Sequence, residues 1–303
     1  GPANAAIPFF FTPITIGIIA FVNSVLNILR LKEKSGDVFE RSSEELRDIK
    51  VEMDFTTNAL SSILYSQGNT KILACVTKAP SLPRWFPRDA NKGWVHAEYS
   101  LLPGSTDTRF RRERTGAKGR TQEIERLIAR SLRGSIDLGA LGPIALTIDC
   151  DVLNADGGTR CASITAACIA MRIAVRRLIA RKECLPEELR GNKEEIKNGW
   201  MPPSLSEEKR REHENKVMPY DVAALSVGLL EGKVWTDLDY VLDSNADVDM
   251  NVVMTSNGEF VEVQGTGEES TYSRKQLEEL LDSAAIGITK LHDIQKEIVS
   301  SVN

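Results

Sequence analysis

The sequence predicts an α+β fold, with mixed β-sheets packed against long α-helices and an apolar N-terminal segment added in front. Three observations predict it. Strand patterns arrive in runs and not in strict βαβ alternation, which disfavours an all-parallel sheet. A run of strands followed by a long helix occurs twice. The first 40 residues differ in composition from the rest, so the chain divides into an extension, 1–40, and a globular part, 41–303.

Apolar and polar residues alternate in IKVEMDF (49–55), SSILYSQ (61–67) and TKILACVT (70–77), which reads as a meander with Gly68-Asn69 turning between the last two. A stretch rich in proline and charge (79–92) leads to another strand in GWVHAEYSLL. From Arg120 the period changes: Ile124, Leu127, Ile128 and Leu132 recur on one face of a helix. Gly142-Pro143 resets the pattern before the buried strand PIALTIDCDV, and Cys161 to Arg181 reads as a long helix, apolar at Ala166, Ile169, Ala170, Ile173 and Ala174. Residues 181–219 are charged, contain Pro186, Pro202 and Pro203, and read as an insertion on the surface, outside the core. AALSVGLLEG, WTDLDYVLD, MNVVMTS and EFVEVQG follow as strands, with Asn257-Gly258 as a hairpin turn, and an amphipathic helix spans Ser273 to about Val299.

At 303 residues and a formal net charge of -5, the chain suits a globular protein and does not by itself suggest a nucleic-acid binder. Its five cysteines include no CxxC pair, so reduced thiols in a reducing compartment, cytoplasm or organelle matrix, are the simplest reading. Cys161 and Cys168 fall on one helical face and read as small core residues. Ile7 to Leu29 contains no charged residue and is followed by Arg30, Lys32 and Lys34. That run fits membrane association or an apolar arm packed on a partner or on the protein itself; Pro8, Pro13, Asn23 and Asn27 weigh against a spanning helix.

Chemistry concentrates in three stretches. ADGGTR (155–160) lies between a strand and a helix, where unpaired N–H groups and the helix dipole favour an anion. Gly158 lets the backbone approach, and Thr159 and Arg160 add donors; the plainer alternative is a helix start capped by Thr159. Arg109 to Arg133 carries nine Lys/Arg against three Glu inside an acidic protein. Arg109, Arg111, Arg112 and Arg120 there suit RNA or phosphate, whereas Arg126, Arg130 and Arg133 read as a solvated helix face paired with Glu123 and Glu125. Asp237 to Met250 holds five aspartates and no basic residue. Asp243 and Asp249 could hold a divalent cation or supply a general acid, or belong to a solvated turn. None of His96, His213 and His292 has a partner pattern that would make it catalytic.

The segments GNTKILACV, GWVHAEYSLLP, GRTQEIERLIARSLR, IDCDVLNADGGTRCASIT, AALSVGLLEG, TDLDYVLDSNADVDMNVVM and FVEVQGTGEE, in this order, resemble the ribonuclease PH family, from about Arg41 to the carboxyl terminus. The resemblance implies a phosphate-dependent 3′-to-5′ exoribonuclease that trims tRNA precursors, and possibly rRNA, and releases nucleoside 5′-diphosphates, reversibly. It implies that Arg120, Gly158, Thr159 and Arg160 hold inorganic phosphate, that Asp243 and Asp249 supply the general acid and bind Mg2+, and that Arg109, Arg111 and Arg112 guide RNA. A hexameric ring, a trimer of dimers, is the implied assembly. The sequence departs from the family pattern at Gly104 and Leu242, where the family has Arg and Glu, at His96, where it has Thr, and at Glu40-Arg41, where it has a basic Gly-Arg motif. A catalytically weak RNA-binding or scaffold subunit of a ring-shaped complex is the alternative reading.

Overall fold

The computed structural model describes residues 41–303, in which two sheets and seven helices form alternating layers. The expected N-terminal arm lies outside the described residues. Among those described, no helix is long and apolar enough to cross a membrane.

The first half contributes β1 (Ile49–Met53), β2 (Ser61–Gln67), β3 (Thr70–Lys78), β4 (Trp94–Leu101), α1 (Gly119–Arg133), the short α2 (Leu138–Leu141), β5 (Ala145–Asn154) and α3 (Thr159–Ala180). Its sheet has the order β1-β2-β3-β5-β4, antiparallel except where β4 runs parallel to β5. The second half contributes α4 (Lys193–Lys197), α5 (Glu207–Val217), β6 (Val222–Leu230), β7 (Lys233–Thr236), α6 (Tyr240–Asn245), β8 (Val248–Thr255), β9 (Phe260–Gly267) and α7 (Arg274–Ser300). Its sheet has the order β7-β6-β8-β9 and is wholly antiparallel, so of the two sheets expected to be mixed only the first is.

The layering follows from which faces are apolar. α3 packs on β2 and β3 on one side and β6 on the other, so it is buried around nearly its whole circumference and not on the single face its periodicity suggested. β6 is likewise covered on both faces, by α3 and α7, and reads as a continuous apolar run. α7 starts with a capping box, Ser273 accepting from the N–H of Gln276 and the Gln276 side chain returning to the N–H of Ser273. All five cysteines are free, and Cys161 and Cys168 are buried as read.

Two expectations need correction. Most of 181–219 is exposed as expected, but its ends enter the core: Cys184, Leu185, Val217 and Met218 are buried, with Cys184, Val217 and Met218 inside the main cluster. What hid this is a buried carboxylate, Glu214, which accepts from Arg176 at 2.8 and 3.0 Å and lies 3.5 Å from Arg172, both on α3. The other carboxylates of the segment are solvated; Glu214 alone belongs to an interior ion network. WTDLDYVLD is not one strand. β7 ends at Thr236, Asp237 adopts a left-handed conformation (φ +59°), and Asp239 caps α6 by accepting from the N–H of Leu242 at 2.9 Å.

Candidate functional site

The turn after β5 enters α3 through two left-handed glycines, Gly157 (φ +75°) and Gly158 (φ +68°). A Cβ on Gly157 would stand 2.5 Å from the carbonyl carbon of Asp239, so the turn and the segment leading into α6 touch backbone to backbone. Gly158 is the N-cap, and no side chain caps the helix start. The first-turn N–H groups, which a helix cannot satisfy internally, are left to another acceptor. Thr159 is therefore not the cap. It is the first helical residue, its Oγ1 2.9 Å from the Tyr99 hydroxyl.

Arg160 leaves the same turn toward the second sheet, where its Nη1 donates to Oε1 of Gln264 at 3.4 Å and lies 4.0 Å from Glu123. Gln264 in turn donates to Glu123 at 3.3 Å. Arg120 lies exposed in the first turn of α1. Both arginines act on the same two groups. Burial pushes the Tyr99 phenol upward, and its bond to Thr159 and the charges of Arg120 and Arg160 offset part of that rise. The carboxyl of Asp243, on α6, is raised first by the protein around it and then by Asp249, with Arg160 and Arg120 opposing. Asp249, on β8, is raised by desolvation and by Glu268, with Arg160 opposing. Arg120 and Arg160 thus act together on Tyr99, the partner of Thr159, and on Asp243, and Arg160 acts on Asp249 as well.

The remaining basic residues divide. Arg109, Arg111 and Arg112 are exposed in the loop before α1; of the three, only Arg112 exerts a resolved pull, on Asp151. The helix arginines do not pair with Glu123 and Glu125 as expected. Arg130 bonds Glu262 at 2.9 Å, and Arg133 lies over the Trp94 ring, 4.1 Å from its centroid, and donates to the Val95 carbonyl. Glu125 accepts from the N–H of Tyr99. His96 is exposed on β4 and His213 buried on α5.

Sequence reasoning passed over three residues of this neighbourhood: Tyr99, Gln264 and Arg47. Tyr99 and Gln264 lie inside motifs quoted above, and strand alternation gives no sign that they face the start of α3. Among the described residues no three His, Cys, Asp or Glu side chains gather as a metal-ligand cluster. A pair of carboxylates beside cationic donors is instead the arrangement suited to Mg2+, which takes one or two carboxylates together with substrate phosphates.

A glycine-rich helix start, with two arginines and two carboxylates in mutual electrostatic reach, is the arrangement of a protein acting on phosphate esters. Comparison narrows the class. Residues 45–176 match the first domain of the 3′ exoribonuclease family and residues 222–287 the second, so the 181–219 segment lies between the two matches. The chain is 45% identical over 262 residues to ribonuclease PH of Corynebacterium kroppenstedtii, covering 86% of this chain and 91% of that one. It is 45% identical over 257 residues to ribonuclease PH of Rhodopirellula baltica, covering 84% and 94%. Rice Rrp46 shares the fold with a TM-score of 0.62 at 14% identity, covering 86% of this chain and 98% of that one. The Archaeoglobus fulgidus exosome with RNA bound to the active site gives 0.62 at 18%, covering 91% and 98%. The chain belongs to the ribonuclease PH family of 3′ exoribonucleases.

Proposed function

We propose that the turn Gly158–Arg160, with Arg120, binds inorganic phosphate as the attacking nucleophile of a phosphorolytic 3′-to-5′ exoribonuclease acting on tRNA-like ends. The observation that carries this reading is an uncapped helix start that bears Arg160 and whose Thr159 bonds Tyr99, with the charges of Arg120 and Arg160 both acting on Tyr99 and on Asp243.

An oxygen of phosphate attacks the phosphorus of the last phosphodiester, the bond to the penultimate 3′ oxygen breaks, and that oxygen takes a proton. The products are a nucleoside 5′-diphosphate and an RNA one residue shorter. Two anions must meet, and Arg120, Arg160 and the first-turn N–H groups of α3 offset their repulsion. Asp243, its carboxyl pushed above the usual range by desolvation and by Asp249, is suited to hold the proton that the departing oxygen takes. Mg2+ held by Asp249, and by Asp243 while its carboxyl is ionised, would screen the reacting phosphate when bound. One phosphate linkage replaces another, so the reverse reaction adds nucleotides from diphosphates.

Arg109, Arg111 and Arg112 guide RNA to the site as solvated charge. The assembly that fits the family is the hexameric ring, three dimers in a circle. The retained Arg120, Thr159, Arg160, Asp243 and Asp249 favour turnover over the scaffold alternative.

The test is a tRNA carrying extra 3′ nucleotides, incubated with the protein and Mg2+ with and without phosphate. Diphosphate release that requires phosphate and stops with a chelator is expected. Trimming that proceeds equally without phosphate overturns the reading.

A further inference from the structure

The phosphate turn and the helix carrying Asp243 come from opposite halves of the chain, and one buried ion pair joins them. Arg47, two residues before β1, is 8% exposed, and Asp237, between β7 and α6, is 1% exposed. The Arg47 guanidinium donates to the carbonyl of Asp156 at 2.6 Å, to that of Gly157 at 3.3 Å, and to Oδ1 of Asp237 at 2.8 Å. The backbone N–H of Arg47 donates to Oδ2 of the same carboxylate at 2.8 Å. Thr70 donates a second bond to the Gly157 carbonyl at 2.7 Å and accepts from the N–H of Asp156 at 3.1 Å. Gln67, which accepts from the Tyr65 hydroxyl at 2.8 Å, also bonds Asp237. Although burial alone would raise the Asp237 carboxyl, the charge and hydrogen bonds of Arg47 outweigh it and hold the group below the usual carboxylate range.

In a planar trans peptide the N–H points away from the C=O. Fixing the carbonyls of Asp156 and Gly157 on Arg47 therefore turns the N–H groups of Gly157 and Gly158 to the opposite face. Only a planar fork with several donors can reach two carbonyls and a carboxylate together; a lysine ammonium cannot.

We infer that Arg47 is a positioning residue of the phosphate site: it sets the backbone of the Asp156–Gly158 turn and, through Asp237, ties that turn to the helix bearing Asp243. This rests on the assignment of phosphate to Gly158–Arg160. No contact of Arg47 with phosphate is involved, so its effect reaches the anion through the backbone.

The test is steady-state phosphorolysis by the full-length protein with inorganic phosphate varied, alongside thermal melting, for Arg47→Lys, Thr70→Val, the double variant Arg47→Met/Asp237→Leu, and Arg160→Ala. Arg47→Lys is expected to raise the KM for phosphate about tenfold or more and lower kcat, with the KM for RNA unchanged. Thr70→Val, which removes one of two donors to the Gly157 carbonyl, raises the phosphate KM by about threefold. The double variant removes both buried charges, so its melting recovers toward wild type while its phosphate KM stays high. A purely structural pair would recover both together. If Arg160→Ala loses phosphate saturation while Thr70→Val and the double variant keep the wild-type KM, the inference is overturned and the phosphate assignment stands. If Arg160→Ala keeps the wild-type phosphate KM, the assignment itself fails and the inference falls with it. Should Arg47→Lys not fold, Thr70→Val and the double variant decide.

Discussion

The turn at Asp156–Arg160 is held on several sides: by Arg47 and Thr70 at its carbonyls, by Asp239 and Tyr240 against Gly157, and by Tyr99 at Thr159. The loop before α1, which carries Arg109, Arg111 and Arg112, is tied down far less. Its backbone is bonded to the Pro103 carbonyl through the N–H of Phe110 and to Glu113 through the N–H of Lys118. Among the described residues none of these three arginines makes a side-chain hydrogen bond. The difference matches what each is proposed to bind. A small nucleophile reacts only from one position, so its site is preorganised. A polymer held by its backbone charge needs cations that can follow it, and solvated arginines serve.

The contrast can be broken first at the turn. Gly157→Ala places a methyl against the Asp239 backbone and forces a side chain into a left-handed conformation. We expect a loss on the order of 1–3 kcal/mol by denaturant unfolding, with phosphorolysis reduced further because α6 is displaced. Wild-type stability and rate would mean that the close approach does not matter.

Changes in the loop should act on RNA alone. Arg111→Ala with Arg112→Ala is expected to flatten the dependence of log K on log salt by roughly 0.7 for each RNA phosphate no longer neutralised, leaving the phosphate KM unchanged. A raised phosphate KM would show that the loop is part of the fixed site.

Gly104 offers the converse change. It lies next to Ser105, whose carbonyl accepts from the N–H of Ala155, and nothing lies within 4 Å of where its Cβ would stand. Gly104→Arg should tighten RNA binding and steepen the salt dependence by about the same increment, with stability unchanged within about 0.5 kcal/mol.

The smallest effect concerns the carboxylates. Asp243 has a folded pKa raised above the unfolded one, so its ionisation destabilises the fold as pH rises through that raised value. Asp243→Asn should therefore melt higher than wild type at neutral pH, and the difference should fade as pH falls from the raised value toward about 3.9, below which the carboxyl is protonated in both states. An unchanged difference across that range would contradict a carboxyl raised by desolvation and by Asp249.

Much of this was legible in the sequence because the signals were local. Gly68-Asn69 and Asn257-Gly258 sit at hairpin turns, and ADGGTR sits where a strand meets a helix. The acidic stretch was legible as charge density but not as shape, since Asp237 and Asp239 act through a left-handed turn and a helix cap that mimic strand alternation. Arg47 left no local sign. Its partners Asp156, Gly157 and Asp237 stand more than a hundred residues away, and an isolated arginine ahead of a strand looks like any surface cation. The buried end of the 181–219 segment was hidden for a related reason: Glu214 is buried only because Arg172 and Arg176 meet it from α3.

The central claim is that inorganic phosphate is the nucleophile bound at Gly158–Arg160. It is tested most directly by following labelled orthophosphate during trimming of an extended tRNA, with Arg160→Ala as the companion. The label should appear in the β-phosphate of the released nucleoside diphosphates, one per nucleotide removed, and its incorporation should fall by about 10²–10³-fold in Arg160→Ala while the protein stays folded. Release of unlabelled nucleoside monophosphates at the same rate, or full incorporation by Arg160→Ala, would contradict it.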